Sequence, residues 1–197
     1  MEETAPGGSV ASVASVAVVI ETPLGEIRLA IDTQHAPITA ANFLHYVDSG
    51  FYTNGVWHRT VTPDNQQADA VRIEVIQGGG DPARNAERRG PIALERTRDT
   101  GLTHHDGSIS MSRFAPDSAV SDIFICIGDQ PELDFGGGRN PDGQGFAAFG
   151  HVTDGMDVVR AIQQSPHGVP GVAGVEQSPH FGQVLTPPVP IIGMRRA

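Results

Sequence analysis

The stretch that decides the fold is "APITAANFLHYVDSGFYTNGVWHRTV", residues 36–61. Pro37 suits a first helical turn, and Gly50 stops the helix. Between them, four apolar residues recur at helical spacing: Ile38, Ala41, Leu44 and Val47. The final part, "GVWHRTV", is rich in β-branched and aromatic residues and predicts a strand. Arg59 lies inside that strand, and because arginine is almost never fully buried unless it is paired, it needs an explanation.

The composition is typical of a globular, turn-rich protein with much β-structure. The 197 residues suggest one domain; 39% are hydrophobic and 18% charged, with 24 Gly and 15 Pro. The net charge of −10 disfavours a nucleic-acid partner, which would favour a basic surface, and the chain contains no lysine. The single cysteine, Cys126, excludes an intrachain disulfide and reads as a small buried hydrophobe.

The N-terminal part of the sequence does not resemble a targeting signal. The longest apolar stretch, "VASVASVAVVI", is too short and mixed for a membrane span, and the N-terminus lacks the basic region of a secretory signal. A cytoplasmic protein and a periplasmic protein whose signal has been removed both stay open. Residues 1–14 are predicted to be a disordered arm before a domain at 15–197. Without heptads or an exposed apolar helix, a monomer is expected.

Working outward from the quoted stretch, the pattern predicts eight strands and two helices. "SVAVVIE" and "EIRLAI" form a hairpin, "VRIEVIQ" (71–77) alternates as a half-buried strand, and "DGMDVVRAIQQ" is a second helix that Asp154 can cap. The remaining strands are "GSISMSR", "DIFICIG", "FAAFGHV" and the closing "VPIIGM". Because no βαβ rhythm appears, a mainly antiparallel barrel or sandwich is favoured.

Few segments carry a recognisable chemical motif. The glycine triplets at 78–80 and 136–138 lack the Lys of a phosphate loop, and "HHD" at 104–106 is expected to be an exposed polar loop rather than a metal site. No nucleophile elbow is present. We therefore expect no metal and no cofactor. Arg59 and Gln77 remain as candidate functional residues. Alternatively, both are solvated strand positions, or Arg59 belongs to a structural ion pair.

Taken in order, these segments resemble the cyclophilin-type peptidyl-prolyl isomerases of bacteria. The quoted stretch resembles their first helix and "Phe-His-Arg" strand, "VIQGGGD" their Gln-Gly-Gly stretch, "SDIFICIGDQPELDF" their Ser-Gln-Phe-Phe-Ile strand, and "FAAFGHVTDGMDVVRAI" their last strand and helix. The similarity covers roughly residues 16–165. It implies a mainly β fold, an eight-stranded antiparallel barrel capped by two α-helices.

The resemblance also implies a reaction, cis/trans isomerisation of Xaa-Pro bonds in peptides and unfolded proteins. Arg59 takes the place of the family's catalytic arginine, and Gln77 matches its glutamine. Phe124 matches the aromatic residue at the floor of the family's proline pocket, and Leu133 matches a leucine at the pocket rim. Val75 stands where the family usually has methionine. Phe146 stands where the family has histidine or tyrosine. The residues implied to bind substrate are Val75, Phe124, Leu133, Phe146, Glu74, Asp122 and Ser112.

Three acidic residues depart from the family pattern. Glu74 stands in place of a phenylalanine, Asp122 of a glutamine, and Glu132 of the aromatic residue associated with cyclosporin binding. We expect weak cyclosporin binding at most, a Glu74–Arg59 pair if Glu74 faces the site, and a preference of an acidic groove for basic peptides. An insertion near residues 62–71 leaves this register open. The alternative is a cyclophilin-like module that binds proline peptides with little or no catalysis.

Overall fold

The computed structural model describes residues 15–66, 69–170 and 180–197, so the predicted arm at 1–14 lies outside the described residues. The strands of the described part are β1 Ser15–Thr22, β2 Gly25–Asp32, β3 Gly55–Val61, β4 Val75–Gly79, β5 Ser108–Met111, β6 Ile123–Cys126, β7 Ala147–Asp154, β8 Val184–Ile191 and β9 Gly193–Arg196. The helices are α1 Pro37–Asp48, α2 Thr97–Thr100 and α3 Met156–Gln163, with 3₁₀ turns at Pro82–Glu87, Pro131–Leu133 and Phe181–Gln183.

All nine of these strands form one antiparallel sheet, in the order β8-β3-β4-β6-β5-β7-β2-β1-β9. The two edge strands, β8 and β9, are consecutive in the chain and are separated only by Ile192. The backbone N–H of Ile192 donates to the carbonyl of Glu21 in β1 at 2.8 Å. The sheet therefore nearly closes into a barrel. The predicted closing strand becomes two because this segment first pairs with β3 and then bends to pair with β1.

The barrel core contains the inward side chains of the strands, and two helices cover it. Trp57, Ile76, Ile109 and Phe149 are fully buried there. Helix α1 packs against β2, β7 and β9, with the Phe43 ring centroid 5.2 Å from that of Phe149. Helix α3 packs against β2, β3 and β4. The mainly β barrel capped by two α-helices is confirmed, with nine strands instead of eight among the described residues.

Three local expectations from the sequence are wrong. Ile38, which was predicted to lie on the buried face of α1, is 46% exposed, so the buried face of this helix does not include it. Asp154 belongs to β7 and does not cap α3; Gly155 occupies that position with a φ of +91°, where a Cβ would collide with the Glu26 carbonyl. The predicted strand 71–77 begins only at Val75.

The late start of β4 has a cause in the side chain of Gln66. Its Oε1 accepts from the backbone N–H of Ile73 at 3.0 Å, and its Nε2 donates to the Ile73 carbonyl at 2.7 Å. Because a side chain satisfies both backbone groups of Ile73, that residue needs no neighbouring strand.

Two further expectations from the sequence concern the single thiol and a membrane span. Cys126 is buried, and burial raises the pKa of its thiol, which is the state of a packing residue rather than a nucleophile. None of the described helices is long and apolar enough to cross a membrane.

Candidate active site

Three adjacent strands bring the predicted site residues together. Arg59 on β3 pairs with Gln77 on β4, and Gln77 pairs with Phe124 on β6. A bulge in β3 shifts the register between Trp57 and Arg59. In a regular strand these two residues would share a face, but the bulge lets Trp57 enter the barrel core while Arg59 lines an outer cavity. The bulge therefore explains how an arginine fits into this apolar strand.

The outer cavity, called the site cavity below, has an apolar floor and a wall that is partly apolar. Its volume is about 100 Å³, and its apolar lining consists of Ile73, Val75, Phe124, Leu133 and Phe146. The Phe124 and Phe146 rings meet edge to face, with centroids 5.5 Å apart. Sites that enclose a drug-sized ligand are larger, roughly 300–1,000 Å³. The site cavity therefore suits one small apolar ring or side chain.

Arg59 is held by two neutral amides. Its Nη1 donates to Oε1 of Gln77 at 2.8 Å, and its Nε and Nη2 donate to Oε1 of Gln183 at 2.8 and 2.6 Å. Within the described part of the chain, no carboxylate forms an ion pair with Arg59. Burial, and secondly the nearby charge of Arg139, lower the pKa of Arg59 to about 10, so the guanidinium is still a cation at neutral pH.

The hydrogen bonds around Arg59 continue on both sides. Gln77 Nε2 donates to Ser112 Oγ at 3.1 Å, and Gln183 Nε2 donates to the Asn65 carbonyl at 3.0 Å. Gln183 is 3% exposed and lies in the 3₁₀ turn before β8. No pattern in the sequence pointed to Gln183, because it is one glutamine in an irregular segment far along the chain. Arg59 is thus fixed from both sides in a partly exposed cavity.

The three acidic residues do not reach the site cavity, which corrects the sequence-based expectation. Glu74 Oε2 accepts from Gln163 Nε2 at 3.0 Å, so Glu74 does not pair with Arg59. Asp122 pairs with Arg88 at 3.2 Å, and Glu132 Oε2 accepts from the backbone N–H of Gly138 at 2.7 Å. Glu74 points away because its neighbours Ile73 and Val75 both line the cavity. Glu74 and Asp122, which the resemblance implied to bind substrate, are not among the residues that line the cavity.

The cavity wall is cationic where an acidic groove was expected. Besides Arg59, its lining contains Arg113 and Arg139 and no carboxylate. Arg113 is fully buried and makes two bonds to Asp142, with Nη1 to Oδ2 at 2.7 Å and Nη2 to Oδ1 at 2.9 Å. Its guanidinium carbon lies 4.9 Å from the Phe146 ring centroid. The expected preference for basic peptides therefore loses its basis.

The floor of the cavity rests on a histidine that was expected in an exposed loop. His104 is buried and stacks on Phe124, with centroids 5.9 Å apart and planes 14° from parallel. Its Nδ1 lies 2.6 Å from Asp134 Oδ1, and its Nε2 lies 2.9 Å from Ser110 Oγ. Ser110 has no exposed surface, so this Ser-His-Asp series supports Phe124 and offers no nucleophile to a substrate.

Two other features of the described residues carry no comparable chemistry. A larger hollow of about 520 Å³ lies beside β2, β5 and β7, but its lining contains no arginine and no phenylalanine, tyrosine or tryptophan. No group of three or more His, Cys, Asp or Glu in the described ranges is arranged to hold a metal ion. The donors and the apolar floor converge at the site cavity.

Comparison with known proteins identifies the family. The model of the family described as cyclophilin type peptidyl-prolyl cis-trans isomerase/CLD matches residues 17–187. Peptidyl-prolyl cis-trans isomerase A of Dickeya dadantii (strain 3937) is 35% identical over 82% of this chain and 78% of its own. Peptidyl-prolyl cis-trans isomerase B of Escherichia coli (strain K12) is 32% identical over 79% of this chain and 88% of its own.

The fold agrees with this match. A crystal structure of a Cryptosporidium parvum cyclophilin type peptidyl-prolyl cis-trans isomerase superposes with a TM-score of 0.68 over 93% of this chain and 98% of that one, at 19% identity. The chain therefore belongs to the cyclophilin-type peptidyl-prolyl cis-trans isomerase family.

Proposed function

We propose that this cyclophilin-type isomerase seats a proline ring in the site cavity and uses Arg59 to stabilise the twisted Xaa-Pro bond. The observation that carries the proposal is the position of Arg59 beside Phe124, held by Gln77 and Gln183 and paired with no described carboxylate. The cavity's size and apolar lining suit a proline ring. Val75, Leu133 and Phe146 are its proposed walls, and Ser112 supports Gln77.

The chemistry of the reaction explains why a guanidinium is useful. Rotation about a peptide bond requires loss of amide resonance, with a barrier of about 18–20 kcal/mol. In the twisted transition state the proline nitrogen becomes pyramidal and regains a lone pair. A donor aimed at that nitrogen stabilises the transition state more than the planar ground state, and this difference accelerates the reaction. No covalent bond is broken and no proton has to be transferred.

The arrangement around Arg59 fits this role physically. A guanidinium stays charged and presents its donors in a rigid fork, and its neutral partners leave the positive charge uncompensated. The apolar side chains of the lining exclude water from their part of the cavity and so strengthen the contact with the nitrogen. A fixed donor at developing charge contributes about 2.7–4 kcal/mol in other enzymes, or a factor of about 100 to 1,000. Gln77 and Gln183 hold the donor in place before substrate arrives.

The proposal is tested by exchange NMR on a blocked tetrapeptide that contains one Xaa-Pro bond. A sub-stoichiometric amount of protein is expected to accelerate cis/trans exchange, which otherwise takes tens to hundreds of seconds. The same peptide with alanine in place of proline serves as the binding control and is expected to leave the backbone signals of Val75, Gln77 and Phe124 unshifted. No acceleration, or equal shifts with both peptides, would contradict the proposal.

We further propose that the natural substrates are proline-containing segments of unfolded proteins, bound by a monomer. The large exposed apolar residues of the described part lie in separate segments of the chain, and single exposed apolar residues are normal on monomers: Leu24, Ile38, Phe114, Val169 and Ile192. Sedimentation equilibrium tests whether the protein is a monomer, and a concentration-dependent dimer would contradict it.

Cyclosporin is expected to bind weakly at most, because Glu132 stands at the family's aromatic position. Sub-micromolar inhibition would contradict that expectation.

A further inference from the structure

Two loops meet at the rim of the site cavity and are joined by one arginine. The first loop connects β3 to β4, and the second connects the 3₁₀ turn at Pro131–Leu133 to β7. Arg139 of the second loop donates through Nη1 to Gln66 Oε1 at 3.0 Å and to the Val71 carbonyl at 2.6 Å, both in the first loop. Its backbone N–H donates to the Glu132 carbonyl at 3.1 Å. Arg139 is therefore fixed at the cavity by both loops.

Arg139 still has donors available for a ligand. All hydrogen bonds of its side chain to the described residues are made by Nη1, and its ion pair with Asp69, at 3.2 Å, uses the same nitrogen. The Nε and Nη2 groups donate to no residue of the described ranges. The side chain is 12% exposed and lines the cavity. A guanidinium with a free edge is suited to a carboxylate, which it binds with two parallel bonds.

The charges around the cavity leave an excess of positive charge. Arg113 is neutralised by Asp142, and Arg139 is partly neutralised by the more exposed Asp69. Arg59 has only amide partners. Two cations and one carboxylate therefore act on whatever occupies the cavity, although the chain as a whole has a net charge of −10. Because the Arg139 side chain is only 12% exposed, its charge is screened less than a charge on the open surface.

We propose that Arg139 forms a subsite for a carboxylate on the residue beside the isomerised proline, so that Asp or Glu there improves binding. This inference rests on the proposed function, since it names the peptides that the same cavity prefers. The carboxylate can belong to an acidic side chain or to a chain terminus, and both present the same two oxygens to the guanidinium. A lysine at that position would meet Arg59 and Arg139 and bind less well.

The test uses blocked tetrapeptides with Glu, Gln or Lys immediately before or after proline, and one peptide with a free carboxyl group directly after proline. Dissociation constants come from NMR titration at low salt, and turnover from exchange NMR. At one of the two positions, the Glu peptide is expected to bind about 3- to 10-fold more tightly than the Gln peptide, and the difference should shrink at high salt. The free-carboxyl peptide shows whether a terminal carboxylate is accepted as well.

Variants assign the preference to Arg139. Arg139→Gln is expected to bring the Glu/Gln affinity ratio close to one, and Asp69→Asn is expected to raise it because a competing carboxylate is removed. Arg28→Gln removes one exposed arginine from β2 and serves as the charge-matched control, with an unchanged ratio. If Arg139→Gln fails to fold, the Glu/Gln affinity ratio of Asp69→Asn still tests the subsite.

Equal affinities for Glu and Gln peptides at both positions, or a ratio that Asp69→Asn does not raise, would overturn the subsite. Binding is measured independently of turnover. A protein that prefers Glu peptides without accelerating exchange would contradict the proposed function and support the subsite. A protein that accelerates exchange without preferring Glu peptides would support the proposed function and contradict the subsite.

Discussion

At the scale of single residues, the site depends on amides rather than acids. Gln77 and Gln183 fix the Arg59 guanidinium without neutralising it, whereas a carboxylate such as Glu74 would have competed with substrate for it. Arg59 and Gln77 could be located in the sequence, because long polar residues in apolar strands are unusual, and Phe124 was implied by the resemblance to the cyclophilin family. Gln183 could not, since it is contiguous with the site only in three dimensions. The resemblance could not place Glu74, because the insertion near residues 62–71 left its alignment with the family open.

Gln183 is predicted to be a positioning residue for Arg59. Gln183→Ala removes an acceptor for two guanidinium donors, so kcat is expected to fall by about 10-fold or more while KM stays within about twofold. The split between kcat and KM, measured by exchange NMR over a range of peptide concentrations, separates loss of positioning from loss of binding. Gln164→Ala, at an exposed glutamine after α3, is the matched control. A variant with normal kcat would refute the role of Gln183.

At the scale of elements, strands and helices followed from periodicity, but their boundaries depended on contacts between distant residues. The start of β4 is set by Gln66, and the start of α3 is set by a glycine turn instead of Asp154. The loop at residues 134–146 contains neither apolar periodicity nor a motif, so its role at the cavity could not be inferred. Asp142 of this loop pairs with the buried side chain of Arg113, whose guanidinium lies over the Phe146 ring.

Asp142→Asn is predicted to destabilise the protein because the fully buried Arg113 loses its charged partner. The free energy of unfolding is expected to fall by about 1–3 kcal/mol at neutral pH. Hydrogen bonds from Arg113 lower the pKa of Asp142 below its usual 3.8. Since the folded pKa lies below the unfolded one, the stabilisation is complete above the unfolded pKa and is lost as pH falls through the folded pKa.

The measurement is urea unfolding of both proteins at about pH 7, 5 and 3. The difference in stability should be the same at the two higher values and smaller at the lowest. Asp129→Asn, an exposed carboxylate beside His105, is the control and should change little at any pH. A difference that persists undiminished at the lowest pH would argue against a role for the Asp142 charge.

At the scale of the whole molecule, closure of the barrel depends on its last residues. β9 pairs with β1 and places Met194 opposite Ile20 in the core. Without β9, β1 would be an open sheet edge, which is prone to pair with other chains. The barrel itself was predictable from the order of several modest motifs along the chain. The division of the closing segment into β8 and β9 was not predictable. The segment looks continuous in sequence, although its first part pairs with β3 and its last part pairs with β1.

Met194→Ala is predicted to weaken this closure. Met194 is 6% exposed, and its truncation is expected to lower the free energy of unfolding by about 2–5 kcal/mol. Partial release of β9 should also increase association, which size-exclusion chromatography with light scattering detects. Ile192→Ala, at a 51% exposed residue of the same segment, is the control and should cost much less. Equal losses of unfolding free energy in the two variants would mean that burial of Met194 does not stabilise the pairing of β9 with β1.

The central claim, that the barrel presents Arg59 to a proline nitrogen, is tested most directly by kcat/KM of Arg59→Ala and Arg59→Lys in exchange NMR with a neutral Xaa-Pro peptide. Both variants should keep the wild-type circular dichroism spectrum. Alanine is expected to lower kcat/KM by about 100- to 1,000-fold, and lysine should restore only part of this, because it keeps the charge but lacks the rigid fork. Arg72→Ala, an exposed arginine near the cavity, should leave it unchanged. A folded Arg59→Ala protein with kcat/KM within about threefold of wild type would contradict the claim, since such a change is under 1 kcal/mol of transition-state stabilisation.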